Sequence, residues 1–128
     1  MQSAKILIVD DSRTIRFQLE RILKSAGYQV ITACDGLEAI ELLHQQSPSL
    51  LILDVNMPAL DGYGVCENIV QLLKVADRPS IIFLTSLKSK ALELLGHEFG
   101  AYLHKPVRES ELLRVVQSQL ELALAQHH

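Results

Sequence analysis

The chain has 128 residues, of which 48% are hydrophobic and 21% charged, so one globular domain with room for a single core is expected. A formal charge of -3, few aromatics and no Trp argue against a nucleic-acid surface, which would show a basic patch or base-stacking rings. No apolar run approaches the length that spans a bilayer, so no membrane association is expected.

The first strand is expected at Lys5-Ile6-Leu7-Ile8-Val9, a short β-branched and aliphatic run. Asp10-Asp11-Ser12 follow, with Ser12 placed to cap a helix from about Arg13 to Ala26. Ile15, Leu19, Ile22, Leu23 and Ala26 repeat at helical spacing as its core face, and Gly27 ends it. Gln29–Ala33 reads as a second strand, and Asp35-Gly36 as a turn. A second helix runs from Leu37 to about Gln45, with Ala39, Ile40 and Leu43 inward, and is broken at Ser47-Pro48-Ser49.

Leu50-Leu51-Ile52-Leu53 then runs straight into Asp54. Such an unbroken apolar run suits a strand buried on both faces of a parallel sheet. Pro58 turns the chain soon after, and Asp61-Gly62 opens a third helix to about Leu73. Ser80–Leu84 is a fourth strand ending at Thr85-Ser86, and 88–95 is a short helix. A brief strand around Ala101–Leu103 leads to Lys105-Pro106 and a last helix, about Arg108 to Ala125. Five strands alternating with helices imply an α/β fold: a doubly wound parallel sheet with helices on both faces.

The carboxyl ends of these strands carry the polar residues of note. They are Asp10-Asp11, Asp54, Thr85 and, near the fifth, Lys105. In open α/β sheets that edge forms the ligand crevice. Clustered carboxylates suit a hard divalent cation such as Mg²⁺. A lone carboxylate, Asp54, suits a nucleophile towards phosphorus, with Lys105 and Thr85 neutralising charge on the phosphoryl oxygens. Each residue also has a plainer reading. Asp10-Asp11 could cap the helix, Asp54 could cap a turn, Thr85 could end a strand, and Lys105 could be a solvated loop residue.

With these residues in order, the chain resembles the receiver domain of bacterial two-component response regulators over almost its whole length. The marks are Ile8-Val9-Asp10-Asp11-Ser12, Asp54-Val55-Asn56-Met57-Pro58 with Asp61-Gly62, Thr85-Ser86, and Lys105-Pro106. Separately they are weak; in this order they are specific. The resemblance implies a flavodoxin-like strand order 2-1-3-4-5 and a single receiver domain over 1–128. It implies that Asp54 accepts phosphate from a histidine kinase or histidine phosphotransfer protein. Asp11, Asp54 and the main-chain carbonyl of Asn56 would ligate Mg²⁺, with Asp10 helping through water. Lys105 would contact the phosphoryl group, and Thr85 with Tyr102 would match the family's switch pair. The switched surface, near the fourth helix, fifth strand and fifth helix, would control an effector protein or output domain and leave room for a phosphorylation-dependent dimer. The chain would be a phosphoacceptor rather than a turnover enzyme.

One departure stands out. Receiver domains usually separate the Gly-Ala pair from the aromatic by two further residues, whereas Gly100-Ala101 runs directly into Tyr102. The fourth helix and the loop after it are therefore expected to be short or irregular. Other classes are weaker. A small Mg²⁺-dependent phosphohydrolase with an aspartyl-phosphate would need a further acid and a cap. A nucleotide-binding module would need a glycine-rich first turn in place of Asp10-Asp11-Ser12-Arg13. His97 and His104 read as surface residues rather than zinc ligands. Cys34 and Cys66 read as buried thiols in a reducing compartment, and the start carries no signal-peptide plan, so a cytoplasmic location is expected. Phe17 points away from the core stripe of its helix, as a lone exposed ring or part of a docking surface for the upstream kinase. In the last helix Leu112, Val116, Leu120 and Ala123 form one face, with Leu113 and Leu122 off it.

Overall fold

Five aliphatic runs pair as parallel strands in the computed structural model, which describes residues 4–55, 78–85 and 100–126 together with 64, 67 and 71. They are β1 (Lys5–Val9), β2 (Gln29–Ala33), β3 (Leu50–Asp54), β4 (Ser80–Thr85) and β5 (Gly100–His104). The sheet order is β2-β1-β3-β4-β5, as the resemblance implied. β3 lies at the centre with all five residues buried, which explains why its apolar run does not alternate with polar residues.

Strand alternation divides the core into two layers. Leu7, Val9, Leu51, Leu53, Ile81 and Phe83 face α2 (Gly36–Gln46) through Ala39 and Leu43. Ile6, Ile8, Leu50, Ile52, Ile82 and Leu84 face α1 (Arg13–Ser25) and α3 (Glu109–Gln126) through Leu19, Ile22, Leu23, Leu112 and Val116. Helices on both faces of a parallel sheet leave its carboxyl edge as the open place for chemistry.

The helix ends follow from local chemistry. Ser12 Oγ accepts the Ile15 amide at 3.3 Å and caps α1. Gly27 takes φ +96° just beyond it, a conformation that a side chain rarely adopts. Asp35 is more than a turn residue: its Oδ1 accepts the Glu38 amide at 2.8 Å, so α2 starts at Gly36.

Several side chains depart from the expected pattern. Ala26 is exposed because the helix has already ended at Ser25 and Ala26 is its cap. In α2, Ile40 is only half-buried, and Leu42 packs on the core instead. Leu113 packs partly against the core, while Phe17 and Leu122 are exposed. Cys34 is exposed, not buried: it follows the last residue of edge strand β2, where no layer covers it. Positions 64, 67 and 71 are helical, within the expected third helix. The rest of that helix, the turn at 57–58, the short helix at 88–95, Asn56, Cys66 and His97 lie outside the described residues.

β5 stays in register with β4, from Ile81 opposite Gly100 to Thr85 opposite His104. The Lys105 amide then donates to the Thr85 carbonyl at 2.8 Å. The short spacing before Tyr102 therefore leaves the strand ladder intact.

Candidate functional site

The carboxyl edge of the sheet gathers Asp10, Asp11, Asp54, Thr85 and Lys105. Asp10 follows β1, Asp54 ends β3, Thr85 ends β4 and Lys105 follows β5. Parallel strands bring residues far apart in sequence to one edge. By alternation Asp54 falls on the side of α1 and α3, as do Ile52 and Leu84, whereas Thr85 falls with Phe83 on the side of α2.

Asp10, Asp54 and Thr85 are the buried polar side chains among the described residues, and Asp11 is exposed. Burial of a carboxylate is costly unless it is paired and hydrogen-bonded. Asp10 Oδ1 accepts the Ser12 amide at 2.8 Å. Lys105 Nζ lies 2.9 Å from Asp10 Oδ2 and 3.4 Å from Asp54 Oδ2. The ammonium thus bridges two buried acids. Burial alone would push it down, but Asp10 first and then Asp54 outweigh burial and hold Lys105 above the ordinary lysine value.

The contact to Asp10 has the length of a hydrogen bond but not its alignment. We read it as a charge pairing, because Asp10 Oδ2 is fully buried with no hydrogen-bond partner. A buried oxygen with unfilled lone pairs, beside two other carboxylates, is a donor set that fits a hard cation. Oxygens of Asp10, Asp11 and Asp54 lie within 4.8 Å of one another. All three are oxygen donors, which suits Mg²⁺ rather than a soft metal.

Tyr102 sits opposite Phe83 and packs partly against the α2-side core. Its ring meets His104 edge-on, with centroids 4.9 Å apart and planes at 88°. Tyr102 and Thr85 therefore share one face of adjacent strands. Asn56, the expected carbonyl ligand, lies outside the described residues.

Two features were missed from sequence. Arg16 Nη1 donates to the main-chain carbonyl of Asp10 at 2.7 Å. An arginine in the first turn of a helix, against the helix dipole, was the signal available for it. The second is a group of exposed Cys34 with half-buried Asp35 and Glu38, in which the thiol donates to Glu38 at 3.2 Å. That hydrogen bond raises the Cys34 pKa, as does the carboxylate charge, so the thiol is not an activated nucleophile.

Beside Lys105, a groove of about 350 Å³ runs between α1 and the loop after β5. Ile15, Gln18, Leu19, Lys105, Pro106 and Val107 line it.

A doubly wound parallel sheet that collects acids, a threonine and a lysine at its carboxyl edge is the arrangement of a receiver-type α/β domain. The sequence profile of the response regulator receiver domain matches residues 6–117, and the chain belongs to that family and hence to two-component signal transduction. It is 50% identical over 110 residues to ycf27 of Guillardia theta, which is named a probable transcriptional regulator, covering 84% of this chain and 42% of that protein. It is 43% identical over 113 residues to response regulator MprA of Mycobacterium ulcerans, covering 87% and 47% respectively. The chain thus spans less than half the length of these curated relatives. Among solved structures, chemotaxis protein CheY4 of Vibrio cholerae superposes with a TM-score of 0.83 at 32% identity, covering 92% of this chain and 99% of that one. No helix among the described residues is long and apolar enough to cross a membrane.

Proposed function

We propose that this chain is a single phosphoacceptor receiver domain, in which Asp54 takes a phosphoryl group from a phosphohistidine donor. The observation that carries the reading is the Lys105 ammonium held between buried Asp10 and Asp54. A carboxylate oxygen of Asp54 forms the new P–O bond while the P–N bond of the donor breaks. The electron pair of that bond leaves with the imidazole, which takes up a proton. Lys105 turns from the carboxylates to the phosphoryl oxygens, and Thr85 donates a hydrogen bond to them. Asp10, Asp11, Asp54 and the carbonyl of Asn56 would hold Mg²⁺, which supplies charge neutralisation when bound. The domain acts as a phosphoacceptor switch rather than a turnover enzyme, located in the cytoplasm with its kinase.

The donor is a histidine kinase or histidine phosphotransfer protein. The groove is lined by Lys105, whose ammonium pairs with the acids, and Phe17 stands exposed on the same helix that lines it. Both support docking of the donor along α1. The output is an effector protein or a further domain. Relatives named as transcriptional regulators, of which this chain spans less than half, make a transcriptional output the first to test.

Incubation with acetyl phosphate and Mg²⁺ should add one phosphate by intact-mass measurement, and Asp54→Asn should abolish it. Full labelling of the Asn variant at the normal rate would refute the assignment.

A further inference from the structure

We propose that Arg16 is a positioning residue for the cation site: by clamping the Asp10 carbonyl it sets the backbone from which Asp11 presents its carboxylate. This rests on the reading of Asp10, Asp11 and Asp54 as a Mg²⁺ site. The Asp10 carbonyl lies past the last ladder pairs of β1, which join Val9 to Ala33 and to Leu53. A carbonyl at that depth needs a donor from elsewhere. Arg16, one turn into α1, supplies it at 2.7 Å.

The peptide unit is planar, so holding the Asp10 oxygen orients the whole plane that carries the Asp11 Cα. The next peptide plane is held from the other side, because Asp10 Oδ1 accepts the Ser12 amide at 2.8 Å. Both planes flanking Asp11 are thus held, one by Arg16 and one by Asp10. Asp11 itself is exposed. Its backbone is fixed while its carboxylate faces the place where a cation would sit. The α1 register completes the clamp: the Arg16 amide bonds to the Ser12 carbonyl at 3.0 Å, which places the guanidinium over the turn.

Charge alone would act in the opposite direction. A guanidinium bonded to the Asp10 carbonyl would repel a cation held nearby, so its removal would tighten binding if charge were its main effect. Positioning predicts weaker binding, and the sign separates the two.

The test is a titration of the ¹⁵N-labelled protein with Mg²⁺ alone, followed by NMR, which reports the fold and the affinity together. Partners that orient metal ligands typically change affinity 10–100-fold when removed; Arg16 acts through the backbone, so Arg16→Ala should raise the Mg²⁺ Kd about 10-fold. Arg16→Lys keeps a donor and the charge and should recover most of the affinity. Should Arg16→Ala not fold, Arg16→Gln, whose stem stops short of the carbonyl, should weaken binding in the same sense. An unchanged or lower Kd in a folded Ala or Gln variant overturns the proposal, and does so while leaving the site reading standing if Asp11→Ala abolishes binding. A wild-type protein that shows no Mg²⁺ response removes the site reading and this inference with it.

Discussion

Lys105 Nζ lies 2.9 Å from Oδ2 of Asp10, a carboxylate with no exposed surface. The same ammonium reaches the phosphoacceptor candidate Asp54 at 3.4 Å. One cation therefore neutralises two acids that come from strands of widely separated sequence. Removing it leaves both carboxylates buried without their counter-charge. Lys105→Met should cost about 2–3 kcal/mol at neutral pH, less than the roughly 3–5 kcal/mol of a fully buried pair because the lysine side chain is 20% exposed. Urea denaturation of the two proteins without metal measures it; equal midpoints would show that the pairing adds nothing to stability.

The same pairing predicts a pH dependence. The folded Lys105 pKa is raised above its ordinary value, so the folded state binds the proton more tightly than the unfolded chain. Its contribution is fully present below the unfolded lysine pKa and is lost as pH rises through the folded one. The stability difference between wild type and Lys105→Met should hold constant from neutrality to about pH 10 and shrink above it. A difference that grew with alkaline pH would contradict the sign.

Asp11 is exposed, and its carboxylate lies close to two buried acids. Asp11→Ala should abolish Mg²⁺-dependent phosphorylation and leave the fold intact. Its denaturation midpoint without metal should stay the same or rise, since repulsion between acids is relieved. A loss of several kcal/mol would mean that Asp11 is structural.

Phe17 is 68% exposed on α1, the helix that lines the groove beside Lys105. Phe17→Ala should slow phosphoryl transfer from a protein phosphohistidine donor and leave labelling by acetyl phosphate unchanged. Exposed aromatics are enriched where proteins dock. Equal slowing with both donors would place the effect in the chemistry instead.

Thr85 and Tyr102 share a face of β4 and β5, with Tyr102 opposite Phe83 and packed on the core. A phosphate on Asp54 should draw Thr85 towards it, and Tyr102 should turn into the space vacated. Moving a two-state equilibrium from mostly off to mostly on needs about 5.5 kcal/mol. One hydrogen bond to a charged group supplies about 1.5–3 kcal/mol. Thr85 must therefore act together with Lys105 and the cation, and the unphosphorylated domain should visit the active state measurably. NMR with and without beryllofluoride checks this. Shifts confined to the acid pocket, with one Tyr102 rotamer in both states, would show that the switch does not operate.

Much of the fold was legible because the apolar runs of β1, β3 and β4 are short, unbroken and bounded by turn residues. Those runs admit few structures other than central parallel strands. Helix ends were legible where a side chain caps, as at Ser12, and less so at Asp35, where the same chemistry passes for a turn. The side of a helix near its end was not: Ala26 continues the spacing of α1, yet the helix stops one residue earlier. Cys34 shows the same limit, because it stands one residue past β2, beyond buried Ala33, and what covers that turn is a property of the whole chain.

By itself the sequence determined which polar residues stand at the strand ends, because those ends announce themselves through the change from aliphatic to polar residues. It placed Asp10, Asp11, Asp54, Thr85 and Lys105 at one edge. Only the tertiary structure decided how they meet. Lys105 bridges Asp10 and Asp54 rather than standing in solvent, Asp10 keeps a buried oxygen with no hydrogen-bond partner, and Arg16 holds the turn between β1 and α1. The reason is physical: residue type and spacing set local conformation, whereas distances between side chains on different strands follow from sheet register and layer packing, which no local stretch of chain contains.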